Sequence, residues 1–379
     1  MTTALAEKLG VQNIPHSVKL AVLVIIASKI LIFTIGIVVT YLNTGLSPFT
    51  AVVDMFNRWD APHYVDIARN WYVSDPTLDA YNFIAFFPLY PILIRMVTLD
   101  LNYISLSALI VSNVCSLIAF FYLYKLAKLE FNKDVAVKAV LFLSVFPTAY
   151  FLSSPYTEGV FFAFVIASVY YARLGKWHFA GLLSIFAALT RLFGLLLFLV
   201  LLIEYFHQRG WKPRKLKPSV LWTFSPLAGF LIYLGINYQV TGNAFTFMTI
   251  QAVHWNNKLD PLSGLKGAYG WAITAIYPEN ITLGIAPIAF AVFGLLMIAV
   301  SIWKHQRPVY IVYMFLSWAF AVSTSWWISV PRYVMAVFPI FILLGSLMHK
   351  KWDTIAGVLM SGALLCFFTV FFARGWWAF

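Results

Sequence analysis

Long unbroken apolar runs recur along this chain, and no other feature limits its fold as strongly. A membrane-spanning helix needs roughly 20 consecutive apolar residues. Transmembrane barrels leave only short alternating strands, and these runs are continuous. Composition agrees: of 379 residues 62% are hydrophobic and 11% charged, whereas a soluble domain is about 45–50% apolar and about 25% charged. A water-soluble enzyme and a disordered chain are both excluded. The reading is an all-α polytopic membrane protein, organised as one integral membrane domain over 1–379.

Apolar helices are predicted at about 18–42, 104–124, 136–152, 158–173, 178–190, 192–206, 219–240, 281–302, 308–327, 333–348 and 354–373. That is about eleven crossings. The stretch 178–206 reads as one long helix or two short ones, and charge decides between them. Arg173 and Lys176 precede it; Arg209, Lys212, Arg214, Lys215 and Lys217 follow it. Both flanks are basic and therefore cytoplasmic, so an even number of passes separates them, and the segment turns near Thr190, Arg191 and Leu192. Carried along the chain, from Lys8 to Arg374, this topology puts 17 Lys and Arg on the cytoplasmic side and 8 outside, with Lys29 inside the first span. The net charge of +12 is then mostly topogenic, and no nucleic-acid partner is needed. The N-terminal apolar run is too long for a cleavable signal. Cys115 and Cys366 both fall in apolar runs, which argues against a disulfide framework or a metal cluster.

Two outer segments are long enough to hold a site, 43–103 and 241–280. In the first, His63 to Trp71 carries apolar residues at helical spacing and predicts an amphipathic helix lying along the interface. Phe86-Phe87-Pro88-Leu89-Tyr90-Pro91 then re-enters the membrane.

Ionisable groups at membrane depth cost on the order of 3 kcal/mol each, so they mark function. The notable polar residues gather on the outer side: Asp60, His63 and Asp66, then Glu158, Arg191 and Arg332, with Gln251, His254 and Trp255 in the second long loop. Asp60 is the best base, since a carboxylate at the edge of an apolar protein takes a proton from a hydroxyl once its neighbours tune it. Its bland alternative is a helix cap or a salt bridge to Arg58. Asp66, six residues on and about 240° around an ideal helix, either binds a metal or sugar or serves as a cap facing solvent. His63 can sit beside Asp60, with a structural hydrogen bond as its other role. Arg191 and Arg332 suit a lipid phosphate, which arginine grips with two parallel hydrogen bonds; singly, each would be an interfacial arginine snorkelling to headgroups. Glu158 either pairs with one of them or hydrogen-bonds a sugar. Trp59 and Trp255 either stack on a sugar or belong to an aromatic belt, which is also the expected place of Trp326, Trp327, Trp376 and Trp377. The chain has no P-loop, Gly-rich dinucleotide loop or His-x-x-x-His pair, so nucleotide and zinc chemistry find no support. No cofactor is required, and a divalent metal beside the carboxylates is not demanded.

Several ordered motifs then resemble one family. Arg58-Trp59-Asp60-Ala61-Pro62-His63-Tyr64 and Phe86-Phe87-Pro88-Leu89-Tyr90-Pro91 resemble the PIG-V family of mannosyltransferases. So do Phe146-Pro147-Thr148 through Pro155-Tyr156-Thr157-Glu158, Ala188-Leu189-Thr190-Arg191, Gln251 with Trp255, Pro331-Arg332-Tyr333 and Trp376-Trp377-Ala378. The resemblance implies a GT-C fold with its active site at the non-cytoplasmic face. It implies mannose transfer from dolichyl or polyprenyl-phosphate mannose to a glycolipid or other membrane acceptor. Eukaryotic members add the second mannose of the glycosylphosphatidylinositol anchor. By the same resemblance Asp60 is the base and Arg191 and Arg332 hold the donor phosphate. The sugar and acceptor contacts fall to Trp59, His63, Asp66, Glu158, Gln251 and Trp255. A prokaryotic chain would work in the plasma membrane, a eukaryotic one in the endoplasmic reticulum. The rivals are a transferase of another polyprenyl-phosphate sugar or to protein, and a transporter or flippase for an anionic lipid.

Overall fold

The computed structural model describes residues 16–379, all helix, turn and loop with no strand among them; Lys8 of the charge tally lies outside them. Each predicted apolar stretch holds helix over most of its length. Five helices are long and apolar enough to cross a membrane alone: Val18–Thr44, Leu101–Glu130, Pro218–Thr241, Asn280–Trp303 and Lys351–Ala373. Counting each of two sharply bent pairs as one span raises this to 7, against the eleven crossings expected. The protein is an integral membrane protein on this count, and the remaining apolar helices are shorter.

Proline explains much of the shortening, because it removes a backbone donor and clashes with the preceding turn. The 136–152 stretch is helical only over Lys133–Ser144; Pro147 follows, and the chain passes through a 3₁₀ turn at Ala149–Leu152. The 333–348 stretch is broken at Pro339, where Trp327–Met335 and Pro339–Leu347 meet at 64°. Across Phe86-Phe87-Pro88, Asp79–Ala85 and Leu89–Val97 meet at 108°, the sharp turn that a re-entrant segment requires. Tyr72 and Tyr233 hold this turn by donating hydroxyl hydrogen bonds to the Phe86 and Ile84 carbonyls, both at 2.7 Å.

The Glu158–Arg173 helix is the centre of the bundle. Twelve of its sixteen residues are buried, so its neighbours are protein rather than lipid. Gly159 permits the closest approach: a Cβ there would stand 2.5 Å from the Ser112 carbonyl oxygen of the Ile104–Glu130 helix. The expected amphipathic helix of the first outer segment runs Ala61–Asn70. It buries Ala61, Tyr64, Ile67 and Ala68 on one face at helical spacing.

The other end of the bundle is pinned by charge. Glu204, buried in the Leu197–Gln208 helix, accepts from Arg307 at 2.8 Å and from Arg173 at 3.2 Å. Arg173 also donates to Glu130 at 2.6 Å. Lys29, the charge inside the first span, donates to Asn113 Oδ1 (2.8 Å), Ser153 Oγ (3.1 Å) and the Leu152 carbonyl (3.3 Å).

Candidate active site

Two antiparallel helices create the core of the site. Glu158 opens the Glu158–Arg173 helix, and Arg191 follows the last residue of the Trp177–Thr190 helix. A short turn joins them, and sixteen residues in one direction are answered by fourteen in the other. The start of the first therefore lies beside the end of the second, and Arg191 donates to Glu158 Oε1. The helix N-terminus adds a favourable field for the carboxylate.

Arg332 closes the arrangement from the short Val330–Met335 helix. Its Nε lies 3.2 Å from the same Glu158 oxygen, although no N–H is aligned for a hydrogen bond there. Its Nη1 donates to Asp60 Oδ2 at 3.3 Å. Asp60, Arg332, Glu158 and Arg191 thus form one chain of contacts with two negative and two positive charges. Side-chain exposure falls from 26% at Asp60 to 10% at Arg332 and 1% at Glu158. Glu158 Oε2 is buried without a partner. Aromatic faces wall in both cations. Arg332 lies over Phe151, Tyr156 and Tyr333, and Arg191 over Phe161, Phe193 and Tyr333. Tyr333 faces both guanidiniums at 5.5 Å.

Neither bland role offered for Asp60 is the observed one. It occupies the N-cap position of Ala61–Asn70 without making a side-chain cap bond. Arg58 pairs instead with Asp54, at 3.0 Å. The Asp60 loop is fixed by Tyr156, whose hydroxyl donates to the Arg58 carbonyl at 2.7 Å. Trp59 takes a positive φ of 55°, and its ring lies 4.2 Å from Trp377, which is 6.0 Å from Trp326. Trp377 and Trp326 thus pack in file with Trp59, the residue before Asp60. Trp327 is buried and donates to the Val322 carbonyl, while Trp376 stays exposed. The segment after Ala373 folds back against the bundle, with Tyr150 donating to the Ala378 carbonyl.

The remaining predicted residues surround this centre without joining its ion pairs. The His63 ring packs on Phe83 and Phe86 at 4.4 and 5.3 Å. That contact replaces the hydrogen bond expected of it. Burial lowers the His63 pKa, opposed by the fields of Asp60, Asp79 and Asp66, so the ring is neutral at pH 7. Trp255 meets the other side of Phe86 edge-on at 5.4 Å. Asp66 accepts from Asn70 at 2.8 Å, and Gln251 accepts from the Asn257 side chain at 3.1 Å; both are held in local contacts. Sequence reasoning missed Tyr156, Tyr333, Trp377 and Asp79 as members of this neighbourhood. The two tyrosines and Trp377 lay inside motifs already singled out, whereas nothing in the spacing pointed to Asp79. Among the described residues no group of three or more His, Cys, Asp or Glu is arranged to hold a metal ion.

Comparison with known proteins follows the same lines. Residues 87–236 match the family described as dolichyl-phosphate-mannose-protein mannosyltransferase, a stretch that includes Glu158 and Arg191 but neither Asp60 nor Arg332. No curated protein matches the chain. Among solved structures, ArnT from Cupriavidus metallidurans bound to undecaprenyl phosphate is similar at 16% identity and a TM-score of 0.52. The alignment covers 89% of this chain and 63% of that one, so the chain spans less than two thirds of the ArnT length. The all-helical bundle, with its charged site at one end, has the ArnT-like GT-C fold.

Proposed function

We propose that the chain is an inverting membrane glycosyltransferase. It moves mannose from a dolichyl or polyprenyl-phosphate donor to a hydroxyl of a lipid-linked or glycolipid acceptor at the non-cytoplasmic face. The observation that carries this reading is the Asp60–Arg332–Glu158–Arg191 relay, in which one carboxylate oxygen holds two guanidiniums side by side. Paired guanidiniums suit a phosphate, which each can grip through parallel N–H bonds. The matched mannosyltransferase family and the undecaprenyl phosphate bound to ArnT support a lipid-phosphate donor.

In this mechanism Arg191 and Arg332 bind the donor phosphate and stabilise the negative charge that grows on it as the C1–O bond breaks. Asp60 takes the acceptor proton. The acceptor oxygen bonds to C1 from the face opposite the phosphate, and polyprenyl phosphate leaves with the bonding pair. A β-linked mannosyl phosphate yields an α-mannoside. Glu158 keeps both arginines in register and is a positioning residue. Trp59, His63 and Trp255 border the acceptor side, with Asp66 and Gln251 further out.

Purified protein in lipid, given dolichyl-phosphate [¹⁴C]mannose and a lipid extract from its host, tests the reading. Label in a new product, lost with Asp60→Asn, supports it. Donor lipid crossing the bilayer equally with either protein, without transfer, would replace it by a transporter.

A further inference from the structure

The end of the bundle remote from Asp60 carries a second concave site with a different chemistry. The Glu158–Arg173 helix runs about 24 Å at 1.5 Å per residue, so Arg173 and the turn after it lie a bundle length from Glu158. There a cavity of about 330 Å³ is walled by Trp177, His178, Gln208, Arg209, Lys217 and Trp222.

Its charge is one-sided. Glu204, which accepts from the lining residue Gln208 at 2.6 Å, and Glu130 are engaged by Arg307 and Arg173. Among the described residues, Lys176, Arg209, Lys212, Arg214, Lys215 and Lys217 form no ion pair. Topology alone asks only that positive charge lie on this side; it does not ask that cations converge on a hollow. Arg209 is held in place, its guanidinium 3.4 Å from the centre of the Tyr205 ring and its Nη1 donating to the Tyr205 carbonyl. The backbone of Lys217 is tied to the Tyr205 hydroxyl at 3.1 Å. Tyr205 thus anchors both cationic residues of the cavity wall, Arg209 by its guanidinium and Lys217 by its backbone.

The rim identifies the occupant. Trp211, Leu216, Leu221 and Trp222 are all exposed beside these cations. A soluble anion would leave that apolar border in water, whereas a phospholipid covers it with acyl chains while its phosphate meets the lysines and arginines. The basic run assigns this end to the cytoplasm, where the leaflet carries anionic lipid that attracts such segments. We propose that the cavity binds the headgroup of an anionic phospholipid of that leaflet, between Arg209 and Lys217. This site stands apart from the transfer chemistry.

Native mass spectrometry of the full chain in neutral detergent, titrated with dioleoyl phosphatidylglycerol or dioleoyl phosphatidylcholine, tests it. One saturable phosphatidylglycerol is expected, with no equivalent for phosphatidylcholine. At about 1 kcal/mol per cation, the double substitution Arg209→Gln with Lys217→Gln weakens it about thirty-fold. Lys125→Gln with Lys128→Gln, at the same end but off the cavity, leaves it unchanged. On the unaltered protein, added salt weakens phosphatidylglycerol alone, so the proposal does not depend on the variants folding. Equal binding of the two lipids, equal losses in the two double variants, or full displacement by millimolar inorganic phosphate would each overturn the assignment.

Discussion

Arg332 lies 3.3 Å from Asp60, so the cation proposed to receive the donor phosphate also holds the proposed base. In the ligand-free protein the two charges offset each other. On the proposed mechanism, a phosphate at Arg332 would compete for the N–H that Asp60 accepts and would free the carboxylate as the donor is seated.

Kinetics should therefore be ordered. Donor binds first, acceptor second, and polyprenyl phosphate inhibits competitively against donor. Initial-rate and product-inhibition patterns check this. Productive binding of acceptor to the donor-free protein would remove the proposed coupling.

Asp60→Asn should lower kcat by about 10²–10⁴-fold, the usual worth of a general base. It should leave the KM for donor unchanged or smaller, because Arg332 loses a charged competitor. Radiolabel transfer over a range of donor concentrations separates the two constants. A rise in donor KM with kcat preserved would make Asp60 a binding residue instead.

Glu158→Gln should hurt the fold as well as the reaction. It leaves Arg191 and Arg332 buried with only Asp60 between them, and breaking a buried pair costs about 3–5 kcal/mol. Thermal unfolding in detergent should show a clear drop in Tm, larger than for Asp60→Asn, whose side chain is partly exposed. Similar Tm values for the two variants would contradict the central role given to Glu158.

Mild acid should destabilise the protein through His63. Its pKa is lowered in the folded state, chiefly by burial, while the unfolded ring titrates near about 6.5. Below that pH the unfolded chain binds a proton that the folded chain resists, so stability falls as pH drops. Asp75 and Asp260 are held below the usual carboxylate range by donors from Thr77 and Ser263, and they act only in stronger acid. Tm measured from pH 7.5 to about 5.5 should decline in the native protein and decline less in His63→Phe. Equal slopes would exonerate His63.

The charged site was legible in sequence because each member sits where an apolar run ends. Burying a charge is costly, so Glu158, Arg191 and Arg332 in largely apolar surroundings had to find one another. The pairing of Glu158 with an arginine was one of its two expected roles, and it holds with both; the partner of Asp60 was not legible. Asp60 has Arg58 two residues away yet pairs across 272 positions with Arg332, because Asp54 takes Arg58 first. Continuous spans were harder to read than apolar runs, for a related reason. Hydropathy reads 333–348 as one run, while the chain bends by 64° at Pro339 and packing buries most of it. The contact of Trp377 with Trp59 was not legible, because an indole at the edge of an apolar run suits an interface and a packed aromatic file equally well.

The ion clusters at the two ends of the Glu158–Arg173 helix act together as a ruler. Sliding that helix by one turn, about 5.4 Å, would strip Glu158 from its two arginines and Arg173 from its two glutamates in the same movement. No intermediate register keeps either set. The distance between the two ion clusters is therefore set by one helix of about 24 Å, and neither cluster can shift along it without the other.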